Sequence, residues 1–129
     1  MAYIAVDFDG TVVSHEFPNV GHDIGAVPVL KELVEKGHKL ILCTMRGTKG
    51  DRNVLEEAIN WFKSNGITLY GINNNPSQFR WTNSRKIFAD LYIDDQALGA
   101  PIKYDPSISA KPFIDWGKVK NLLINRKYL

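Results

Sequence analysis

Short apolar runs alternate along the chain with segments whose apolar residues recur every three or four positions. The first run, Tyr3–Val6, stops at Asp7, and the second, at residues 39–44, stops at polar residues in the same way. Such runs are typical of parallel strands buried on both faces. Similar runs at residues 67–72, 88–93 and 102–104 predict three further strands, the last of them short.

The segments between these runs predict three helices. The first ends at Gly37, the second extends from Asp51 as N-cap to residues 65–66, and the third covers residues 114–125. Residues 12–25 have mixed polarity and predict a loop or a small hairpin. The predicted inward-facing positions are Val27, Leu30, Leu33, Val34, Leu55, Ala58, Ile59, Phe62, Ile114, Val119, Leu122 and Leu123.

Alternation of strands and helices predicts an α/β domain over residues 1–129, with a central parallel sheet covered on both faces. The 44% hydrophobic content is sufficient for a core. The 16 basic and 14 acidic residues are too evenly balanced to indicate a nucleic-acid or membrane partner. The single cysteine, Cys43, excludes an internal disulfide. With no signal peptide or membrane-length apolar run, the sequence predicts a cytoplasmic location.

Six polar residues stand at the predicted carboxyl ends of three strands. Since ligands of open parallel sheets bind beyond those ends, one crevice would gather the six side chains. Carboxylates brought together repel unless a cation offsets them, and an all-oxygen set suits Mg²⁺. The residues are Asp7, Asp9, Thr44, Arg46, Asp94 and Asp95.

The spacing of Asp7 and Asp9 allows them to flank one reacting group once the chain turns at Gly10. One carboxylate would attack phosphorus while the other, protonated, donates to the leaving oxygen. Thr11, Thr44 and turn amides near Gly10 offer hydrogen bonds to phosphoryl oxygens. Lys86 and Arg46 offer positive charge.

Four sequence features follow one another along the chain: DFDGTV at residues 7–12, LILCT at residues 40–44, Lys86, and YIDD at residues 92–95. In this order they resemble the first, second, third and fourth signatures of the haloacid dehalogenase-like (HAD) superfamily in its phosphatase form. The resemblance covers most of the chain and implies a Rossmann-like three-layer fold.

This resemblance implies a role for each matching residue. Asp7 would be the nucleophile and a Mg²⁺ ligand, and Asp9 the general acid/base, with its backbone carbonyl on the metal. Thr44 would hydrogen-bond the phosphoryl group, and Lys86 would stabilise the phosphoaspartate; Arg85 or a more distant lysine is the alternative. Asp94 would complete the metal site, with Asp95 as a second candidate. The presence of Asp9 argues against dehalogenation.

No interval between the signatures has room for a cap domain, so the chain looks like the capless type. An open site favours large phosphorylated substrates or a lid from a partner subunit, and a homo-oligomer is one such arrangement. Phosphorylated polynucleotide ends, phosphoproteins and small phosphate esters all stay open. Trp81 would either stack on a base or sugar beside the crevice or serve packing.

Two other classes compete with a phosphatase. A receiver domain also combines an acidic pair, a phosphorylated Asp, a Thr and a Lys, but its phosphorylated Asp ends a middle strand. A catalytically idle HAD-fold binding module would have no need of the full set of Asp7, Asp9, Thr44, Lys86 and Asp94. The three histidines are not spaced as a metal site and are expected to be exposed loop residues.

Overall fold

The computed structural model describes the backbone of residues 1–129 and every side chain except that of Lys49. The chain forms eight strands, three α-helices and one 3₁₀ turn. In chain order these are β1 (Tyr3–Val6), α1 (Ala26–Glu35), β2 (Lys39–Leu42), β3 (Thr48–Lys49), β4 (Arg52–Asn53), α2 (Val54–Ser64), β5 (Gly71–Ile72), the 3₁₀ turn (Gln78–Arg80), β6 (Leu91–Ile93), β7 (Ile102–Lys103), β8 (Phe113–Ile114) and α3 (Trp116–Asn125).

The central sheet has four parallel strands in the order β5-β2-β1-β6. Val6 pairs with Leu42 on one side and with Ile93 on the other, so β1, β2 and β6 end at the same level. The backbone amide of Asp7 donates to the Ile93 carbonyl at 3.0 Å. Residues that directly follow these three strands therefore lie side by side at one edge of the sheet.

The two faces of the sheet are covered differently. On one face, Ile4, Val6, Leu40 and Leu42 share an apolar core with residues of α1, α2 and α3. Tyr3, which alternates with Ile4, contacts Phe88 on the other face, where the chain crosses from β5 back to β6. The predicted three-layer α/β arrangement is confirmed, and no described segment forms a cap domain.

The first two helices show how local residues set the boundaries. Asp23 caps the start of α1, since its carboxylate accepts from the Ala26 amide at 2.8 Å, and Gly37 follows the helix with φ +89°, as predicted. The prediction of Asp51 as the N-cap of α2 is wrong. Asn53 caps α2 by accepting from the Glu56 amide at 3.0 Å, because β3 and β4 form a hairpin that includes Asp51.

Four predictions for the second half of the chain are wrong in detail. β5 and β6 are shorter than the apolar runs at 67–72 and 88–93, and β7 pairs antiparallel with β8 outside the central sheet. Ile114 belongs to β8, because Asp115 caps α3 by accepting from the Lys118 amide. Leu122 lies on the outer side of α3, with 48% of its surface exposed.

Residues 12–25 form a loop that returns over the end of β1. Val13 makes isolated bridges to Asp9 and Asp23, so the loop contains the start of a hairpin. Ser14 is fully buried and holds the loop closed, since its hydroxyl accepts from the His22 amide at 2.9 Å. Phe17 and Pro18 are joined by a cis peptide bond. The loop thereby stands beside the residues that follow β1.

Within the described chain, no helix combines the length and the apolar character that a bilayer-crossing segment requires.

Candidate functional site

Three carboxylates converge at the carboxyl edge of the sheet. Asp7 follows β1 directly, and Asp94 and Asp95 follow β6, which pairs with β1. One carboxylate oxygen from each residue lies within 4.8 Å of the others. The sequence predicts that two acidic pairs meet at this edge. The structure brings three of those four carboxylates together, the ones of Asp7, Asp94 and Asp95.

A cavity of about 610 Å³ opens over the cluster. Thr44 and Cys43, which follow β2, form one wall, and the loop after β1 forms another. Cys43 is half-buried at the cavity wall. The lining residues are Asp7, Asp9, His15, Phe17, Cys43, Thr44, Met45, Arg46, Asp94, Asp95, Gln96 and Lys111.

The acidic cluster strongly perturbs Asp7. The pKa of its carboxyl is raised from the ordinary 3.8 to about 7, chiefly because burial disfavours the charged form and next because Asp94 lies close. A hydrogen bond from Thr11 acts in the opposite direction. A divalent cation would relieve this repulsion, and the donor set, which consists of carboxylate oxygens alone, fits a hard ion such as Mg²⁺.

Thr11 positions the carboxylates and does not line the cavity. It is fully buried, and its hydroxyl lies 2.9 Å from an Asp7 oxygen and 3.3 Å from an Asp95 oxygen. The same hydroxyl accepts from the Asp95 amide at 3.1 Å. The prediction that Thr11 contacts a phosphoryl group is therefore corrected: Thr11 links the two acidic strand ends.

Gly10 also has a structural role. Its amide donates to the Val13 carbonyl at 2.8 Å, and its carbonyl accepts from the Ile114 amide at 3.0 Å, so neither group faces a ligand. Its φ is +79°, and a side chain here would collide with the His15 ring and the Asp95 carboxylate. The predicted phosphate contact by the Gly10 amide is wrong. Glycine is required at position 10 because the backbone turns there with a positive φ and the side chains of His15 and Asp95 pack closely against it.

Arg46 pairs with Asp9 through two parallel hydrogen bonds. Its Nε donates to one carboxylate oxygen at 2.8 Å and a terminal nitrogen donates to the other at 2.7 Å. The remaining donors go to the backbone carbonyls of Pro18, Val54 and Asn19. All five N–H groups of the guanidinium are used. Arg46 therefore has no donor for a phosphoryl group, and its prediction as a phosphate contact is corrected.

The same arginine joins three parts of the chain. The guanidinium lies 4.9 Å from the Phe8 ring centroid and 5.2 Å from the Phe17 ring centroid. The Arg46 side chain is 1% exposed, whereas that of Asp9 is 20% exposed. Asp9 is thus held in one orientation at the cavity, with the loop containing Phe17 fastened beside it.

Thr44 occupies the predicted position. Its amide donates to the Asn73 side chain at 2.9 Å, and its hydroxyl oxygen accepts from the Arg46 amide at 3.1 Å. The hydroxyl hydrogen is left to donate into the cavity.

The positions of Asp94 and Asp95 differ: Asp94 accepts from the Gln96 amide at 2.9 Å, and the Asp95 side chain, 3% exposed, is more enclosed.

Lys86 does not line this cavity. It is exposed, and its ammonium lies 6.0 Å from the ring centroid of Tyr92. The chain just after it pairs with the start of β1, where the Asp90 amide donates to the Tyr3 carbonyl at 2.8 Å. Lys86 is absent from the lining of the cavity that holds Asp7, so the predicted contact is corrected. Its alternative, Arg85, lines a different cavity.

Two residues at the cavity were not expected there. Lys111 lines it, because the segment around it is tied to the loop after β1: the His15 amide donates to the Ser109 hydroxyl at 2.8 Å, and the His15 ring contacts the Pro112 carbonyl at 3.0 Å. His15, predicted to be an exposed loop residue, is 18% exposed and lies 3.2 Å from Asp95. These contacts join distant parts of the chain and leave no local sequence signal.

The fold and the site define an α/β protein with a carboxylate cluster at the carboxyl edge of a parallel sheet. No protein-family model and no curated protein matches the chain. It is similar to the solved structure of the conserved protein coded by a locus from Bacteroides thetaiotaomicron, with 37% identity and a TM-score of 0.74 over 98% of this chain and 91% of that one. The chain belongs to the family of that conserved protein.

Proposed function

We propose that this protein is a magnesium-dependent phosphohydrolase of the HAD type that cleaves phosphomonoesters through an aspartyl-phosphate on Asp7. The observation that supports this most directly is the meeting of Asp7, Asp94 and Asp95 within 4.8 Å, beside a fourth aspartate, Asp9, in one cavity. The order of the DFDGTV, LILCT and YIDD signatures is consistent with the same chemistry.

Mg²⁺, when bound, would neutralise the carboxylate cluster and the phosphoryl oxygens of the substrate. Asp7 and Asp94 are the residues best placed to hold it, with the more enclosed Asp95 as a supporting or alternative ligand. The HAD resemblance adds the backbone carbonyl of Asp9. Burial, and next the nearby Asp94, raise the pKa of Asp7, and such an ion would stabilise the charged carboxylate against both effects.

Asp7 acts as the nucleophile. One of its carboxylate oxygens forms a bond to phosphorus as the ester oxygen leaves with its electron pair, and water later displaces the aspartate to release inorganic phosphate. The hydrogen bond from Thr11 to Asp7, at 2.9 Å, holds the carboxylate in one orientation. A fixed nucleophile reduces the entropy lost on reaching the transition state.

Asp9 acts as the general acid and base. It supplies a proton to the leaving oxygen in the first step and accepts one from the attacking water in the second. Both of its oxygens accept hydrogen bonds from Arg46, so the moving proton uses the lone pairs that remain. Arg46 is a positioning residue in this scheme and does not touch the substrate.

Thr44 and Lys111 bind the phosphoryl oxygens. The Thr44 hydroxyl donates a hydrogen bond, and Lys111 supplies positive charge at the cavity. Among the described residues lining the cavity, Arg46 is fully bonded, which leaves the Lys111 ammonium for the substrate. Lys111 thus takes the part that the sequence suggested for Lys86.

Turnover of p-nitrophenyl phosphate with and without Mg²⁺ tests the proposal. We expect Mg²⁺-dependent turnover that Asp7→Asn abolishes. Asp51→Asn, an equivalent change at an exposed position outside the cavity, serves as the matched control and should leave turnover intact. Full activity of Asp7→Asn, or no phosphate release from any ester in a broad panel, would contradict the proposal and favour an idle binding module.

A further inference from the structure

The crossover segment, residues 73–87, carries the excess positive charge of the chain. It contains Arg80, Arg85 and Lys86 and no acidic residue. Of the 16 basic residues, removing these three leaves 13 against 14 acidic ones, so the rest of the chain is slightly negative. The chain therefore has a nearly even overall charge and, at the same time, a locally basic crossover segment.

Two aromatic side chains stand out from this basic segment. Phe79 is 67% exposed and Trp81 is 64% exposed, and the cations beside them are exposed too. Among the described residues, Arg80, Arg85 and Lys86 form no salt bridge. Large exposed aromatic rings beside cations that form no salt bridge with described residues indicate a ligand-binding surface.

Buried amide side chains hold the segment in shape. Gln78, 4% exposed, donates to the carbonyls of Ser84 and Lys86 and accepts from the Phe88 amide at 2.9 Å. Asn75, 1% exposed, donates to the Phe88 carbonyl at 3.0 Å. The exposed rings and cations are therefore presented by a backbone with fixed hydrogen bonds, which lowers the entropy cost of binding.

A second cavity, of about 360 Å³, lies along this segment. Its walls include Asn73, Asn74, Asn83, Phe79 and Arg85. Asn73 also accepts a hydrogen bond from the amide of Thr44, which lines the acidic cavity. The amide groups can both donate and accept, as nucleobase edges require.

We propose that the crossover segment binds single-stranded nucleic acid and presents a terminal phosphate of that strand to the acidic cavity. Bases stack on Phe79 and Trp81, and backbone phosphates pair with Arg80 and Arg85. The delivery of the terminal phosphate rests on the proposed phosphohydrolase function, whereas binding of the strand does not. The substrate class is then single-stranded nucleic acid with a terminal phosphate, which the open cavity by itself does not determine.

The combination of groups favours nucleic acid over an acidic peptide. Cations alone would attract either polymer. Two exposed rings and an amide-lined cavity add stacking and base-edge contacts, which an acidic peptide does not use. The contributions of charge and stacking can be separated by changing the arginines and the rings independently.

Binding is tested with unphosphorylated oligo(dT), which the proposed reaction cannot consume. We expect saturable binding that quenches Trp81 fluorescence and weakens as salt rises. Phe79→Ala should weaken binding at least about tenfold. Arg80→Gln/Arg85→Gln should reduce the slope of log K against log salt by about 0.7 for each phosphate that an arginine no longer neutralises. Trp81→Phe should keep the affinity and lose the quenching.

Control variants separate local effects from unfolding. Lys118→Gln/Arg126→Gln removes the same charge from exposed positions, one on α3 and one directly after it, and should leave binding unchanged. All segment variants should turn over p-nitrophenyl phosphate at the native rate. Absence of oligo(dT) binding, or equal binding of poly-glutamate that Phe79→Ala does not affect, would overturn the proposal.

Phosphate release from terminally phosphorylated oligo(dT) tests delivery. We expect release that falls in Phe79→Ala while turnover of p-nitrophenyl phosphate is unchanged. If small esters are cleaved but bound oligonucleotide is not, the delivery part is wrong. If no ester is cleaved yet oligo(dT) still binds, the phosphohydrolase function fails and the binding surface stands.

Discussion

The acidic cavity and the crossover segment use polar side chains in opposite ways. In the cavity, functional groups satisfy one another: Arg46 bonds both oxygens of Asp9, and Thr11 links Asp7 to Asp95. In the segment, buried Gln78 and Asn75 bond only to backbone, and the exposed side chains make no ion pair with described residues.

This difference indicates how the two regions respond to mutation. Changing Arg46 or Asp9 removes a hydrogen-bond partner from another enclosed polar group, so activity and stability fall together. Changing one of the exposed rings or cations of the segment (Phe79, Arg80, Trp81, Arg85 or Lys86) leaves every described hydrogen bond of the fold in place, so only binding falls. The predictions below test this contrast.

Asp9→Asn should have the largest effect on catalysis. The amide cannot exchange the proton that the leaving oxygen needs, so turnover of an alkyl phosphate should fall by about 10² to 10⁴. p-Nitrophenolate leaves without a proton, so formation of the aspartyl-phosphate from p-nitrophenyl phosphate should fall far less. Stopped-flow bursts measure this difference. Equal losses for the two esters would contradict the acid role of Asp9.

Arg46→Met should reduce both turnover and stability. It leaves Asp9 without its charge partner and three backbone carbonyls without donors, at a cost of about 3 kcal/mol in the free energy of unfolding. Urea denaturation measures this cost. Arg85→Met, the matched change in the crossover segment, should cost less than about 0.5 kcal/mol. Similar costs at the two positions would break the contrast between the regions.

Lys111→Met should lower turnover of p-nitrophenyl phosphate by about tenfold to a hundredfold, because a cation is lost from the transferring phosphoryl group. Lys86→Met removes the same charge away from the cavity and should have little effect on this small ester. Steady-state kinetics of the two variants decide the matter. A larger loss in Lys86→Met would restore the sequence-based assignment and contradict the one proposed for Lys111.

The smallest expected effect concerns pH and the metal-free protein. The folded pKa of Asp7, about 7, lies above its ordinary 3.8, so its contribution to stability is complete below about pH 4 and is lost as the pH rises through 7. Without divalent cations, Asp7→Asn should therefore be more stable than the native chain at pH 8, by about 2 kcal/mol.

That stability difference should disappear toward pH 4, where Asp7 is neutral, and reverse at pH 8 when Mg²⁺ is added, since only the native cluster binds the ion tightly. Thermal denaturation at several pH values, with EDTA or Mg²⁺, measures both trends. An Asp7→Asn variant that is less stable than the native chain in EDTA at pH 8 would contradict the charge repulsion in the cluster.

The sequence predicts the parts of the site that depend on strand ends. Asp7, Thr44 and Asp94 follow buried apolar runs, and the register of parallel strands brings such residues together. The same logic predicts the α/β class and the face of α1 that is buried. The predicted strands are longer than the observed ones because apolar residues such as Phe88 also pack the crossover segment against the sheet.

The corrected assignments of Arg46 and Thr11 depend on contacts between distant residues. The roles of Arg46 and Thr11 follow from pairs 37 and 84 positions apart, which spacing along the chain does not reveal. Lys111 reaches the cavity because His15 binds Pro112, 97 positions away. A cation close to a motif in sequence, as Lys86 is to YIDD, therefore need not line the cavity that the motif's aspartates line.

Trapping the phosphorylated enzyme tests the central claim most directly. Asp9→Asn should accumulate the adduct with p-nitrophenyl phosphate and Mg²⁺, because its first step needs no acid and its second lacks the base. Acid quench followed by peptide mass spectrometry should locate the phosphate on Asp7, with no adduct in Asp7→Asn/Asp9→Asn. Phosphate attached to another residue, or released with no enzyme adduct at any time, would contradict Asp7 as the nucleophile.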